Sequence, residues 1–188
     1  MKILVFAGST RRESVNRKLA RAAAQAVDAA GGQATLLELA DYPMPLYNGD
    51  LEAESGPPEH AFRLQEVIAA HAGLVVVSPE YNHSIPALLK NTLDWVSRTP
   101  RVKGANPFAG KVTGLMAASP GGLGGLQGLD AVQRVLTTLG ALVLPRVVAV
   151  PRADVAFDSE GRLTDESSAR RVAELAAEVV AIAGKLTR

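Results

Sequence analysis

Residues 2–16, KILVFAGSTRRESVN, decide the fold class of this chain. An apolar run from Lys2 to Ala7 breaks at Gly8 into the polar loop GSTRRESVNR, and an amphipathic helix follows. Strand, polar loop and helix N-terminus form the unit from which alternating α/β sheets are built. The same order makes an anion cradle, because the first N–H groups of a helix lack partners and the macrodipole is positive there. Ser9, Thr10, Ser14 and Asn16 add side-chain donors, and Arg11 or Arg12 adds a full charge. Ser14 also suits an ordinary N-cap, so a plain β–α turn accounts for the same residues without a ligand. Two familiar phosphate loops are excluded: there is no G-x-x-x-x-G-K-[ST], and a single glycine stands where a dinucleotide fingerprint needs three.

Outward from this unit the hydrophobic period keeps alternating. Val15, Leu19, Ala22, Ala23, Ala26, Val27 and Ala30 recur at helical spacing up to Gly31 and Gly32. Residues 34–39 read as a second strand, and residues 40–58, with four prolines and two glycines, as the longest irregular segment. Then come a helix over 59–72, an apolar central strand over 73–78 and a helix over 85–98. Strands over 111–118 and 141–150 are separated by a helix from about Leu123 to Leu139. A tight turn at 157–161 precedes a final helix, capped by Thr164 or Asp165, with Val172, Ala176, Val179, Ala183 and Leu186 as its inner stripe. Five strands alternating with helices predict a doubly wound parallel sheet with helices on both faces. No repeat or composition shift divides residues 1–188, so a single domain is expected.

In an open sheet of this kind ligands sit beyond the carboxyl ends of the strands, where the strand order reverses. Loops 8–16, 78–86 and 118–125 are therefore the candidates. The second carries Pro79, Glu80, Tyr81, Asn82, His83 and Ser84 ahead of Pro86. Its backbone N–H groups suit the polar edge of a planar ligand, with Tyr81 and Asn82 offering an aromatic surface and an amide. The alternative is a strand-to-helix turn shaped by Pro79 and Pro86. Glu80 has no second carboxylate or base suggested beside it, which favours a solvated or helix-capping role over acid–base work. The third loop, SPGGLGGLQG, has Ser119 and the glycines 121, 122, 124 and 125, which let backbone approach a ligand closely.

At this point the chain resembles the flavodoxin-like NAD(P)H-dependent FMN reductases, which include bacterial quinone, azo-dye and chromate reductases. The resemblance runs from GSTRRESVNRKLA through PEYNHSIPALLKNTLDW to SPGGLGGLQGLDAVQRVLTTLGA, and the middle motif is the most specific. It implies that Ser9, Arg11, Ser14 and Asn16 hold the FMN phosphate, with Thr10 and Val15 beside them. It further implies that Pro79, Glu80, Tyr81 and Asn82 border the isoalloxazine and ribityl chain, and that Ser119, Gly121 and Gly122 close the other side. His83 is left unassigned. With hydride chemistry supplied by the flavin, and NADPH or NADH as its donor, no dedicated catalytic residue is expected. Tyr81 is the preferred single ligand contact.

Composition narrows the rest. A net charge of +1 argues against nucleic acid or an anionic membrane as partner. Zero cysteines and three isolated histidines point away from thiol chemistry and from a metal site. The apolar N-terminus is too short for a signal segment, so a soluble cytoplasmic protein is expected. On the 85–98 helix, Ile85, Leu89, Thr92, Leu93 and Val96 form one face, which Leu88 and Trp95 widen. That breadth suits a second subunit, in line with the family's dimers and tetramers, or cover by the 40–58 segment. An electron-carrier flavodoxin is the main rival, opposed by the near-neutral charge and 4% aromatic content. Arg11, Arg12, Arg98, Arg101 and Lys103 are candidates for a 2′-phosphate contact, and the electron acceptor stays open between quinones, azo compounds, metal oxyanions and free flavin.

Overall fold

The computed structural model describes residues 1–101 and 104–186. Its sheet has five parallel strands, β1 (Lys2–Ala7), β2 (Gln33–Leu37), β3 (Gly73–Val77), β4 (Val112–Ala118) and β5 (Leu142–Val150), in the order β2-β1-β3-β4-β5. The helices are α1 (Val15–Ala29), α2 (Gly49–Ser55), α3 (Glu59–Ala69), α4 (Ala87–Val96), α5 (Leu126–Thr138) and α6 (Glu166–Leu186). The doubly wound sheet is as expected. The order reverses between β1 and β3, which pair in register from Ile3 opposite Gly73 to Ala7 opposite Val77.

Burial follows the apolar runs. Every residue of β3 and β4 is buried, as is all of β1 after Lys2, because helices cover both faces of these inner strands. Alternate residues split between two cores: Ile3, Val5, Val75 and Val77 pack under α1 and α6, and Leu4, Phe6, Leu74 and Val76 under α3, α4 and α5. β5 lies at the edge and carries Pro145, which has no N–H to give a ladder; the β4–β5 register shifts there, between Thr113 and Leu115.

Two expectations need correction. The segment 40–58 is not wholly irregular: it holds a 3-10 turn at Leu39–Asp41 and helix α2. No α2 residue is buried, so no hydrophobic stripe announced it; Asn48 starts it by accepting from the Asp50 N–H at 2.8 Å. The inner stripe of α6 ends one turn early, since Leu186 is 58% exposed while Leu175, outside the expected set, is fully buried. Asp165 caps that helix, its Oδ2 accepting from the Ser168 N–H at 2.8 Å.

The long segment also settles what covers α4. Trp95 is 0% exposed, and its indole N–H donates to the Pro45 carbonyl at 2.7 Å. Asn91 donates to the same carbonyl at 2.8 Å and accepts from the Tyr47 N–H at 2.7 Å, while the Tyr47 and Trp95 rings meet edge to face at 4.9 Å. The broad face of α4 is therefore partly occupied by the chain's own 45–47 stretch.

Candidate flavin site

Three loops meet at the carboxyl ends of β1, β3 and β4. In the first, Ser14 is the N-cap of α1, extended at ψ 121°, with its hydroxyl accepting from the Arg17 N–H at 3.4 Å. Ser9 is buried and its hydroxyl accepts from the Arg11 N–H at 3.4 Å. The N–H groups of Thr10, Val15 and Asn16 find no acceptor among the described residues, and neither Arg11 nor Arg12 has a carboxylate partner there. A buried helix start with orphan donors and free cations calls for an anion.

In the second loop, Tyr81 and Ser84 exchange backbone hydrogen bonds of 3.1 Å in each direction, with Asn82 and His83 between them at φ 51° and 59°. Two left-handed residues closed by a reciprocal pair make the tight I′ kind of hairpin, for which Asn is well suited. Asn82 is therefore a turn residue, and the turn leaves Tyr81 57% exposed. In the third, the Ser119 hydroxyl accepts from the Gly121 N–H at 3.3 Å. A Cβ on Gly122 would meet nothing within 4 Å, so that backbone faces open space.

Between these loops lies a cleft of about 110 Å³ lined by Ser9, Arg11, Ser14, Val15, Asn16, Pro79, Glu80, Tyr81 and Ser119, together with Ala118 and Pro120. Nine expected residues are thus brought together, while Thr10, Asn82, Gly121 and Gly122 stand outside the lining. Asn16 departs from its expected role. Its amide is spent on β4, Nδ2 donating to the Ala118 carbonyl at 2.9 Å and Oδ1 accepting from the Ala118 N–H at 2.8 Å. Ala118 and Pro120 fall in the expected 118–125 loop but carry no polar side chain, so neither was singled out as a site residue. Glu80 caps a helix, and the helix is α5: Oε2 accepts from the Gly128 N–H at 2.7 Å. The expectation that no base lies beside it is corrected by the 81–84 turn, which brings Nδ1 of His83 to 3.6 Å from Oε1.

Of the cations considered for a second phosphate, Arg98 is committed. Its Nη2 donates to the Tyr47 hydroxyl at 2.6 Å, its Nε lies 3.4 Å from Glu52, and it stacks 5.0 Å over the Tyr47 ring. Lys103 and the side chain of Arg101 lie outside what the structure describes. No group of three His, Cys, Asp or Glu among the described residues is placed to hold a metal ion, and no described helix is long and apolar enough to cross a membrane.

The sequence matches the model of the NADPH-dependent FMN reductases over residues 1–154. The chain belongs to this family. A quinone reductase of Pseudomonas putida is 36% identical over 167 residues, which cover 88% of this chain and 86% of that protein. An NAD(P)H-dependent FMN reductase of Pseudomonas aeruginosa is 35% identical over 170 residues, 89% of this chain and 87% of that protein. Among solved structures, the flavoenzyme NAD(P)H:(acceptor) oxidoreductase FerB of Paracoccus denitrificans superposes with a TM-score of 0.79 at 27% identity, covering 98% of this chain and 97% of that one. An archaeal flavodoxin superposes at 0.64 with 10% identity, a likeness of fold alone. This FMN reductase is an FMN-dependent oxidoreductase with a nicotinamide donor, and the comparisons favour that reading over the electron-carrier flavodoxin. The orphan donors over α1 and the open backbone at Gly122 fit such a cofactor.

Proposed function

We propose that the protein is an NAD(P)H-dependent quinone reductase whose three-loop cleft holds FMN by its phosphate. The observation that carries this reading is the set of unpaired N–H groups at Thr10, Val15 and Asn16, beside Arg11, over the positive end of α1. Ser9 and Ser14 line the same spot and complete the phosphate contacts with their hydroxyls. Pro79, Glu80, Tyr81 and Asn82 border the isoalloxazine and ribityl chain, with Tyr81 offering its exposed ring. Ser119, Gly121 and Gly122 close the far side without side-chain bulk. When bound, FMN would supply the redox chemistry that links the nicotinamide donor, NADPH or NADH, to the acceptor. The residues bind and orient, and none needs to move a proton. Asn16 contributes its backbone N–H and keeps α1 tied to β4.

Relatives named quinone reductases support a quinone as acceptor, and azo compounds, metal oxyanions and free flavin are further acceptors to assay. The working form is a homodimer or homotetramer, supported by apolar side chains left exposed at Leu46 and Leu123; its mass in solution decides this. The cytoplasm, which holds the nicotinamide donors, is the proposed compartment. The test is an anaerobic titration of FMN-loaded protein with NADPH, then with NADH, followed by a quinone. Bleaching of the flavin absorbance and its recovery on adding quinone are the expected results. Bound flavin that neither nucleotide bleaches would overturn the reading.

A further inference from the structure

Glu80 is the one carboxylate lining the cleft, and its side chain is directed into the protein, 15% exposed. Gly128, whose N–H it accepts, is the third residue of α5 and so one of that helix's orphan donors. A carboxylate there also meets the positive end of the helix dipole. α5 has no side-chain cap of its own, since it opens from Gly125 at φ 88°. Its cap comes instead from a loop 48 residues away in sequence. The fit leaves no slack: a Cβ on Gly128 would lie 3.0 Å from both Cβ and Cγ of Glu80 and 3.1 Å from the Ser84 carbonyl. From the other side, Asn16 grips both backbone groups of Ala118. The stretch from Ala118 to Gly128 thus receives a strap from each of the other two loops.

We propose that Glu80 is a positioning residue: it ties the 79–84 loop to the N-terminus of α5 and so sets where Pro79, Tyr81 and the third loop stand around bound FMN. The proposal rests on the cofactor placement given above and goes beyond it by assigning the side chain a role exerted through α5. Acid–base chemistry is no part of that role.

The experiment compares FMN-reconstituted wild type with Glu80→Gln, Glu80→Ala and Gly128→Ala. It reads FMN dissociation constants by flavin fluorescence and the visible band of the bound flavin. Glutamine keeps an acceptor oxygen for the Gly128 N–H, so E80Q holds FMN within about threefold of wild type, whereas E80A weakens it by about tenfold and shifts the band. G128A keeps the carboxylate but wedges a methyl against it, and it weakens FMN and shifts the band in the same direction. Apo-protein melting identifies any variant that has lost its fold, and the E80Q rescue and the flavin band separate positioning from general destabilisation. An E80A protein with wild-type affinity and band overturns the strap alone, as does E80Q impaired as much as E80A. Wild type that takes up no FMN overturns the cofactor placement instead, and the strap's function with it.

Discussion

The two ends of the sheet hold space and chemistry in opposite proportion. At the end where the strands begin are two cavities of about 320 and 440 Å³, bordered by Lys111 and, in the larger, by Met1 and His71. The cleft at the carboxyl ends measures about 110 Å³. At the roomier end the polar side chains of Lys111 and His71 are already paired. Lys111 donates to the carbonyls of Ala69, at 3.1 Å, and of His71, while the His71 ring spans the Val67 carbonyl and the Thr35 hydroxyl, each at 2.7 Å. At the smaller end three backbone donors have no acceptor, and two arginines no carboxylate, among the described residues. An anion site is marked by unpaired donors rather than by volume, since a phosphate at a helix N-terminus gains charge-assisted hydrogen bonds and meets the positive end of the dipole.

The comparison breaks most visibly at Val15. Proline is tolerated at the first helical position, and the preceding Ser14 is already extended, so Val15→Pro removes one cradle donor while the fold persists. A drop of about tenfold or more in FMN affinity is expected, with a melting temperature close to wild type, and equilibrium dialysis against FMN checks it. Unchanged affinity would mean that the orphan donors do not bind the phosphate. A smaller effect is expected at the rim: Tyr81→Ala weakens FMN binding or turnover by about threefold to tenfold through lost ring contact, and Tyr81→Phe leaves most of it.

Lys111→Met sharpens the contrast from the other end. The carbonyls that close α3 lose their donor, at about 1 kcal/mol in denaturant melts, while FMN affinity stays as in wild type. Burial holds the Lys111 ammonium below its ordinary value of 10.5, so the unfolded chain keeps that proton to higher pH than the folded one. Its contribution to stability therefore rises as pH climbs toward 10.5, and K111M should flatten that rise. The smallest effect is at Asp165, whose carboxyl is held below the usual 3.8 chiefly by hydrogen bonds from Ser168. Its stabilisation is present above that value and lost as pH falls below it, so thermal melts of Asp165→Asn and wild type should converge in acid.

Much of this was legible in the chain because strand and helix leave different periods. The runs at 3–7, 73–77 and 112–118 are buried on both faces and read as continuous apolar stretches. The loops that follow β1, β3 and β4 could be located for the same reason, and nine of the thirteen expected site residues do line one cleft. What stayed hidden involves partners far apart in sequence. The amide of Asn16 reads as a phosphate ligand until Ala118 is seen against it. The width of α4 is open between a second subunit and the 40–58 segment until Pro45 and Tyr47 are found on Asn91 and Trp95, covering part of it. Helix α2 has no buried side chain and so no stripe to betray it.

By itself the sequence determined the alternation of five strands with helices, the end of the sheet at which the candidate residues gather and the family to which the chain belongs. Those depend on local periods and short motifs, which are set by neighbours along the chain. Only the tertiary structure decided which polar atoms are free and which are spent. Glu80 on Gly128, Asn16 on Ala118 and Trp95 on Pro45 are hydrogen bonds across 48, 102 and 50 residues. Whether a buried donor or acceptor can serve a ligand depends on the atom that packing brings opposite it, and no local pattern encodes that atom.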